Sequence, residues 1–367
     1  MIRRIPALLL AAALGCRNDG GDGAPARPFL MGFSPWPYDA TLEAKDWVYA
    51  RIHAEGDIVS HPLEEGVPWP DMADGRGFSG SFLAELEDRR NRRVPGKKTL
   101  IQINPLNVSR TGLAAFRGAT PNEPLPSPWD GYALDSPQVK SAFLTYARQM
   151  VEFFEPDCLL IGVEVNLLIR NNPSLWPAYV DLHRHVYSGL KALFPELPVA
   201  VSFFSVPFFP EASPADDLAA QRAGLADLTP WLDFVAFSVH PFMSAFLADT
   251  FPDDSFDRLF AETARPIAIS ESSYPAQVWS NAAGTTWYGS PEKQDAFLAK
   301  MLSAADRRRA RFVIWFCIRD YDALWNGVLG RSEEALVWRD TGLYDEAGAE
   351  RLALRSWRSY RLRPWAP

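Results

Sequence analysis

The chain has 367 residues, with 37 Lys and Arg against 45 Asp and Glu and a formal charge of -8. Apolar residues make up 47%, which excludes a disordered or fibrous chain. The acidic balance, with no long basic run to offset it, argues against a nucleic-acid partner.

Arg3 and Arg4 precede an apolar run from Ile5 to Leu14, too short to span a bilayer and suited to a secretory signal. The run ends in Ala13-Leu14-Gly15-Cys16, before a polar, glycine-rich stretch. This resembles a bacterial lipoprotein signal. The resemblance implies export, a lipid on Cys16, and a place at the outer membrane or cell surface, with the periplasmic side as an alternative. The expected organisation is therefore a signal through residue 16, a tether over 17–28 and one domain over 29–367. Membrane contact is expected only through the lipid. Cys158 and Cys317 fall inside apolar runs, so a disulfide scaffold is not expected.

From Phe29 onward, strand and helix patterns alternate. Apolar runs at 29–39, 57–69, 97–107, 158–169, 197–209, 233–242, 265–276 and 310–325 read as eight strands. Amphipathic stretches at 41–56, 78–93, 135–156, 173–195, 214–232, 255–265, 290–309 and 346–362 read as the helices between and after them. The strands are apolar on both faces, as expected where helices cover a parallel sheet. Eight rounds predict an α/β fold, a (β/α)8 TIM barrel with enlarged βα loops. An open doubly wound sheet would want a glycine-rich first turn, and no GxGxxG follows the first strand. The long segment 107–134 reads as an ordered flap over the mouth, with Trp129 and Tyr132 as contacts.

Barrel chemistry sits at the C-terminal strand ends. Glu164 interrupts IGVEVN late in the fourth strand, and Glu271 interrupts IAISESSYP late in the seventh. A carboxylate in such surroundings is costly unless it is paired or functional. Two of them across one mouth suit glycoside hydrolysis, one as acid/base and one as nucleophile. This pattern, with ISESSYP over 269–275, resembles the clan A retaining glycoside hydrolases, which include galactanases, mannanases and cellulases. The resemblance implies that Glu271 is the nucleophile and Glu164 the acid/base. The clan usually has Asn before the acid/base, and Val163 stands there instead. Strand alternation would place Asn166 on the same face as Glu164, within reach of substrate.

Other strand ends supply candidate walls. His240 follows the sixth strand, where the resemblance implies a partner for Glu271 or a sugar hydroxyl. His61 and Asn104 end the second and third strands and read as hydroxyl partners. Glu64 and Glu65 stand in the same loop as His61, as a substrate subsite or as solvated carboxylates, with solvation expected for one of them. The 13 Trp give flat apolar surfaces on which sugar rings stack. Trp36, Trp69 and Tyr274 are candidates by position, and the resemblance implies a platform role for Trp315 on the eighth strand. Arg110, Arg117 and Arg319 are candidates to read an acidic sugar or a sulfate.

No metal site or cofactor is expected. His183 and His185 diverge around a helix, and neither HExxH nor G-x-S-x-G is present. The expected function is retaining hydrolysis of β-linked glycans by a monomer. A carbohydrate-binding lipoprotein without turnover and a metal-dependent barrel hydrolase stand as alternatives.

Overall fold

A computed structural model describes residues 25–244 and 252–366. The expected lipidation site, Cys16, lies outside them. The barrel strands are β1 (Leu30–Phe33), β2 (Ile58–Leu63), β3 (Lys98–Ile103), β4 (Cys158–Leu160), β5 (Val199–Ala200), β6 (Ser202–Phe204), β7 (Val235–Val239) and β8 (Ile267–Ser272). A hairpin of β9 (Val278–Ser280) and β10 (Thr286–Tyr288) follows, and β11 (Phe312–Trp315) completes the ring. The order is β5-β4-β3-β2-β1-β11-β8-β7-β6, with every pairing in the ring parallel. β5 and β6 are successive pieces of one run, parted by Val201. Val199 and Ala200 pair with β4, while Ser202 to Phe204 pair with β7, so this run joins the two ends of the sheet. The architecture is a TIM barrel.

The helices form where apolar periodicity and start signals agree. Thr41 Oγ1 accepts from the amide of Ala44 to open the helix Leu42–Glu55. Ser290 caps Pro291–Arg307 in the same way, with Pro at the first position. The helix Pro137–Phe154 buries one face through Val139, Phe143, Tyr146, Met150 and Phe154, the i, i+3, i+4 spacing of an outer-layer helix. Close approach of β1 and β2 requires glycine at Gly32, where a Cβ would meet the Ile58 carbonyl oxygen at 1.9 Å.

Three expectations need correction here. The end of the expected tether over 17–28 belongs to the fold, because Arg27 is buried, pairs with Asp57 at 2.6 Å and bridges to Trp365. The flap 107–134 is ordered, but Trp129 is buried and stacks on Trp69 at 5.7 Å, so it packs the loops instead of facing a groove. Trp69 itself is fully buried and donates to the Ala114 carbonyl at 2.9 Å. That bond ties the loop after β2 to the flap, and the indole has no free face for a sugar. Cys158 and Cys317 are buried free thiols.

Candidate active site

Small polar residues lie inside the barrel, with Ser60 and Gln102 hydrogen-bonded at 2.7 Å and Ser202 and Ser238 also buried. Two glutamates stand at the mouth. β4 ends at Leu160, and Glu164 lies four residues later in a turn, with φ 52. A non-glycine residue in the left-handed region costs about 1 kcal/mol or more, so the turn is held from outside. Its amide donates to Ser202 Oγ at 2.9 Å. Glu271 reaches the mouth through a β-bulge. Phe237 of β7 faces Ile269 of β8, but the next residue, Ser238, faces Glu271, which leaves Ser270 as the extra residue. The bulge re-aims the carboxylate that regular pairing would have turned elsewhere.

Burial pushes both carboxyls up. Glu164 is raised to about 7, chiefly by desolvation, with the Glu64 charge adding and Arg110 opposing. Glu271 is raised well above its ordinary range by desolvation and then by the charge of Glu164. An ionised Glu164 thus favours the protonated form of Glu271. His240 lies with Nε2 3.6 Å from Glu271 and with Nδ1 at 2.8 Å from Ser273 Oγ. Burial lowers His240 to about 3, so it is neutral and contributes no positive charge.

Among the described residues, Arg110 is the cation beside Glu164. It enters from the flap, itself at φ 52, and its side chain is 7% exposed. Its guanidinium donates to Glu64 at 2.7 Å and to the Val163 carbonyl at 3.1 Å, and stands 3.9 Å from Glu164. Asn104 joins the same network, donating to Glu64 at 2.9 Å and to the Val163 carbonyl at 3.2 Å. Asn104 thus stands at the mouth as a holder of the turn that carries Glu164. Glu64 is the hub of this network, not a solvated side chain.

Half-buried aromatic rings wall the opening. Trp36 packs on Phe316 at 5.6 Å and on Tyr321 at 5.8 Å, and Trp338 lies 6.2 Å from both Phe316 and His240. Ser34, Trp36, Pro62 and Glu65 open into a side cavity of about 340 Å³.

The structure does not bring the remaining candidates to the mouth. Trp315 is fully buried, donates to the Thr341 carbonyl at 2.8 Å and packs on Phe297 of an outer helix at 6.2 Å. Phe316, one residue on, takes the inward position instead. His61 points outward for the same reason, between Tyr49 and Phe154 of two covering helices. Tyr274 stacks on Phe297 in that outer layer. Asn166 does not share a face with Glu164, because the strand has ended before either residue. Its side chain is buried, accepts from the amide of Phe204 at 2.7 Å and donates to the Phe204 carbonyl and to Gln221. It clips the end of β6 to the turn after β4. Asn166→Ala is therefore expected to lower stability by about 2–4 kcal/mol, through the polar groups it strands, and to leave glycan affinity unchanged. Thermal melting beside a binding isotherm separates the two effects.

Arg117 pairs with Glu85, and Arg319 lies over Tyr38 at 3.6 Å, so neither faces the opening. His183 is buried against the Trp231 carbonyl, while His185 is exposed, so the H-x-H pair diverges. Among the described residues, Asp320, Asp322 and Asp340 form a cluster with metal-ligand spacing. Arg351 on Asp320, and Arg339 on Asp340 and Asp322, supply its countercharge.

No family model and no curated protein matches the sequence. Solved structures do match in fold. A GH5_18 protein from Bifidobacterium longum subsp. infantis superposes with a TM-score of 0.62 at 14% identity, over 92% of this chain and 80% of that one. A fungal β-1,4-galactanase gives 0.59 at 12% identity, over 90% and 99%. An exo-β-1,4-mannosidase from Opitutaceae bacterium strain TAV5 gives 0.58 at 15% identity, over 91% of this chain. The present chain spans 60% of that mannosidase's length. These fold neighbours are clan A glycoside hydrolases.

Proposed function

We propose that the protein hydrolyses β-linked glycans with retention of configuration, using Glu271 as nucleophile and Glu164 as acid/base. The observation that carries this reading is the pair itself. Two half-buried carboxyls, from the turn after β4 and the bulge in β8, share one mouth; burial raises the proton affinity of both, and the charge of Glu164 raises that of Glu271 further. One proton between them is the state the reaction needs. A Glu271 oxygen attacks the anomeric carbon as the bond to the leaving oxygen breaks, and that oxygen takes the proton from Glu164. Water then attacks the glycosyl–enzyme bond, returning its proton to Glu164 and freeing Glu271.

Arg110 sets the starting condition. It stands 3.9 Å from Glu164 and favours that residue's ionised form. It lowers Glu271 as well, and attack needs the proton on Glu164 with Glu271 ionised. Arg110→Gln removes the lowering influence and raises the first ionisation of the pair. The acid limb of kcat/KM is then expected to move to higher pH, which a pH–rate profile measures. A loss of rate with an unmoved limb would leave Arg110 merely structural.

A second reading, glycan binding without turnover, is favoured by Val163. It is buried and presents its carbonyl to Asn104 and Arg110 and no polar side chain to a sugar hydroxyl. A screen of polysaccharides and aryl β-glycosides with the chain from Arg17 onward decides between the two. Turnover supports hydrolysis, whereas binding with no turnover across a broad panel supports the second reading. Loss of turnover on chelation would instead point to a metal-dependent hydrolase. Export, lipidation at Cys16 and a place at the outer membrane or cell surface remain part of this proposal.

A further inference from the structure

The face opposite the mouth, built from the loops that lead into the strands, carries features that glycan hydrolysis does not use. After the helix Pro291–Arg307 the chain runs Arg308-Arg309-Ala310-Arg311 into β11, and all three arginines are exposed. None pairs with a carboxylate among the described residues; Arg311 lies over the Phe234 ring at 5.2 Å. Arg265, exposed before β8, donates to the Thr229 carbonyl.

The aspartates of this face are already taken. Asp57 pairs with Arg27 and Arg361, Asp157 with Lys98, Asp233 with Lys191 and Asp306 with Arg363. Glu155 and Glu196, exposed before β4 and β5, oppose the arginines but leave positive charge in surplus.

Arg309 and Arg311 line a cavity of about 270 Å³ together with Leu30, Pro266 and Trp365. Trp365 is 42% exposed and Leu362, at the end of the last helix, 83%. Guanidinium groups beside an outward indole and a bare leucine match a bilayer surface: the cations meet lipid phosphates and the indole sits at head-group level.

The path of the chain agrees with this. The carbonyls of Pro25 and Ala26 accept from Arg363, which places the chain's entry beside the patch. From Cys16 to Pro25 even fully extended chain spans at most about 30 Å. A lipid at Cys16 would therefore hold this face close to the membrane.

We propose that this face docks on an anionic phospholipid bilayer and seats the barrel with its mouth turned away from the membrane. The inference goes beyond the hydrolytic reading and does not depend on it. The chain from Arg17 keeps every described element and lacks the lipid, so it isolates the surface. It is sedimented with vesicles of phosphatidylcholine alone, or of phosphatidylcholine with about 30 mol% phosphatidylglycerol, near 0.1 M salt.

The protein is expected to pellet with the anionic vesicles and to stay in solution with the neutral ones. Combining Arg308→Gln, Arg309→Gln and Arg311→Gln should weaken binding roughly a hundredfold. Trp365→Ala weakens it severalfold, and circular dichroism of each variant confirms folding. Absence of pelleting with anionic vesicles, or equal pelleting of the folded triple variant, overturns the proposal. Retention on heparin or duplex DNA, with the vesicles left unbound, reassigns the patch to a soluble polyanion and overturns it as well.

Discussion

Replacing Glu271 by Ala lowers turnover of an unactivated β-glycan by at least about 10⁴-fold, because it removes the carboxylate proposed to form the covalent intermediate, while Glu64 is held by Arg110 and Asn104. The loss is in kcat, since the carboxylate's main task comes after binding. Azide fills the space left by the side chain and attacks the same carbon from the same side. An aryl glycoside with a good leaving group should then regain turnover with added azide and give a glycosyl azide of inverted configuration. Initial rates with and without azide, with the product anomer read by NMR, check both parts. A Glu271→Ala protein that keeps more than a tenth of its turnover would remove Glu271 from the chemistry.

Glu164→Gln divides substrates by their leaving groups. A sugar alkoxide needs the proton that Gln cannot give, so glycan turnover falls by roughly 10²–10⁴-fold, while a dinitrophenyl glycoside, whose leaving group needs no proton, loses far less in the first step. The same substitution changes stability, with a sign fixed by the pKa. In the unfolded chain Glu164 ionises near 4.5, and in the fold near 7. The folded state therefore holds the proton more tightly, and the stability this gives is full below pH 4.5 and lost as pH rises through 7. Glu164→Gln has no charge to bury and escapes that loss. At pH 8 it is expected to be more stable than the parent by about 2–3 kcal/mol, with little difference at pH 4. Melting temperatures at the two pH values test this without any substrate. In the parent, the raised pair also predicts that kcat/KM climbs toward neutral pH, not toward the acid range of an unperturbed carboxyl.

The barrel was legible because its strands are long apolar runs and its helices carry clear start signals, as at Ser290-Pro291. Glu164 and Glu271 were legible because ionisable residues inside such runs are costly. Facing was not legible. A strand buried on both sides gives no alternation from which to read which residue points inward. Trp315 and His61 therefore looked like wall residues, although the inward places belong to Phe316 and the residues beside His61. Asn166 was misplaced for a related reason. Alternation holds only while the strand lasts, and β4 ends at Leu160 with Glu164 in a left-handed turn beyond it. The bulge at Ser270 likewise leaves no mark in composition. The salt bridge of Arg110 with Glu64 joins an insertion to a different loop, a contact that no local pattern announces.

Trapping the covalent intermediate tests the central claim most directly. The chain from Arg17 is incubated with dinitrophenyl 2-deoxy-2-fluoro-β-glycosides of several sugars, and released phenol and peptide masses are recorded. One equivalent of phenol with the glycosyl group attached to Glu271 is the predicted result. A glycosyl group on any other residue, or sustained hydrolysis of natural glycans with inversion and no trapped adduct, contradicts the account.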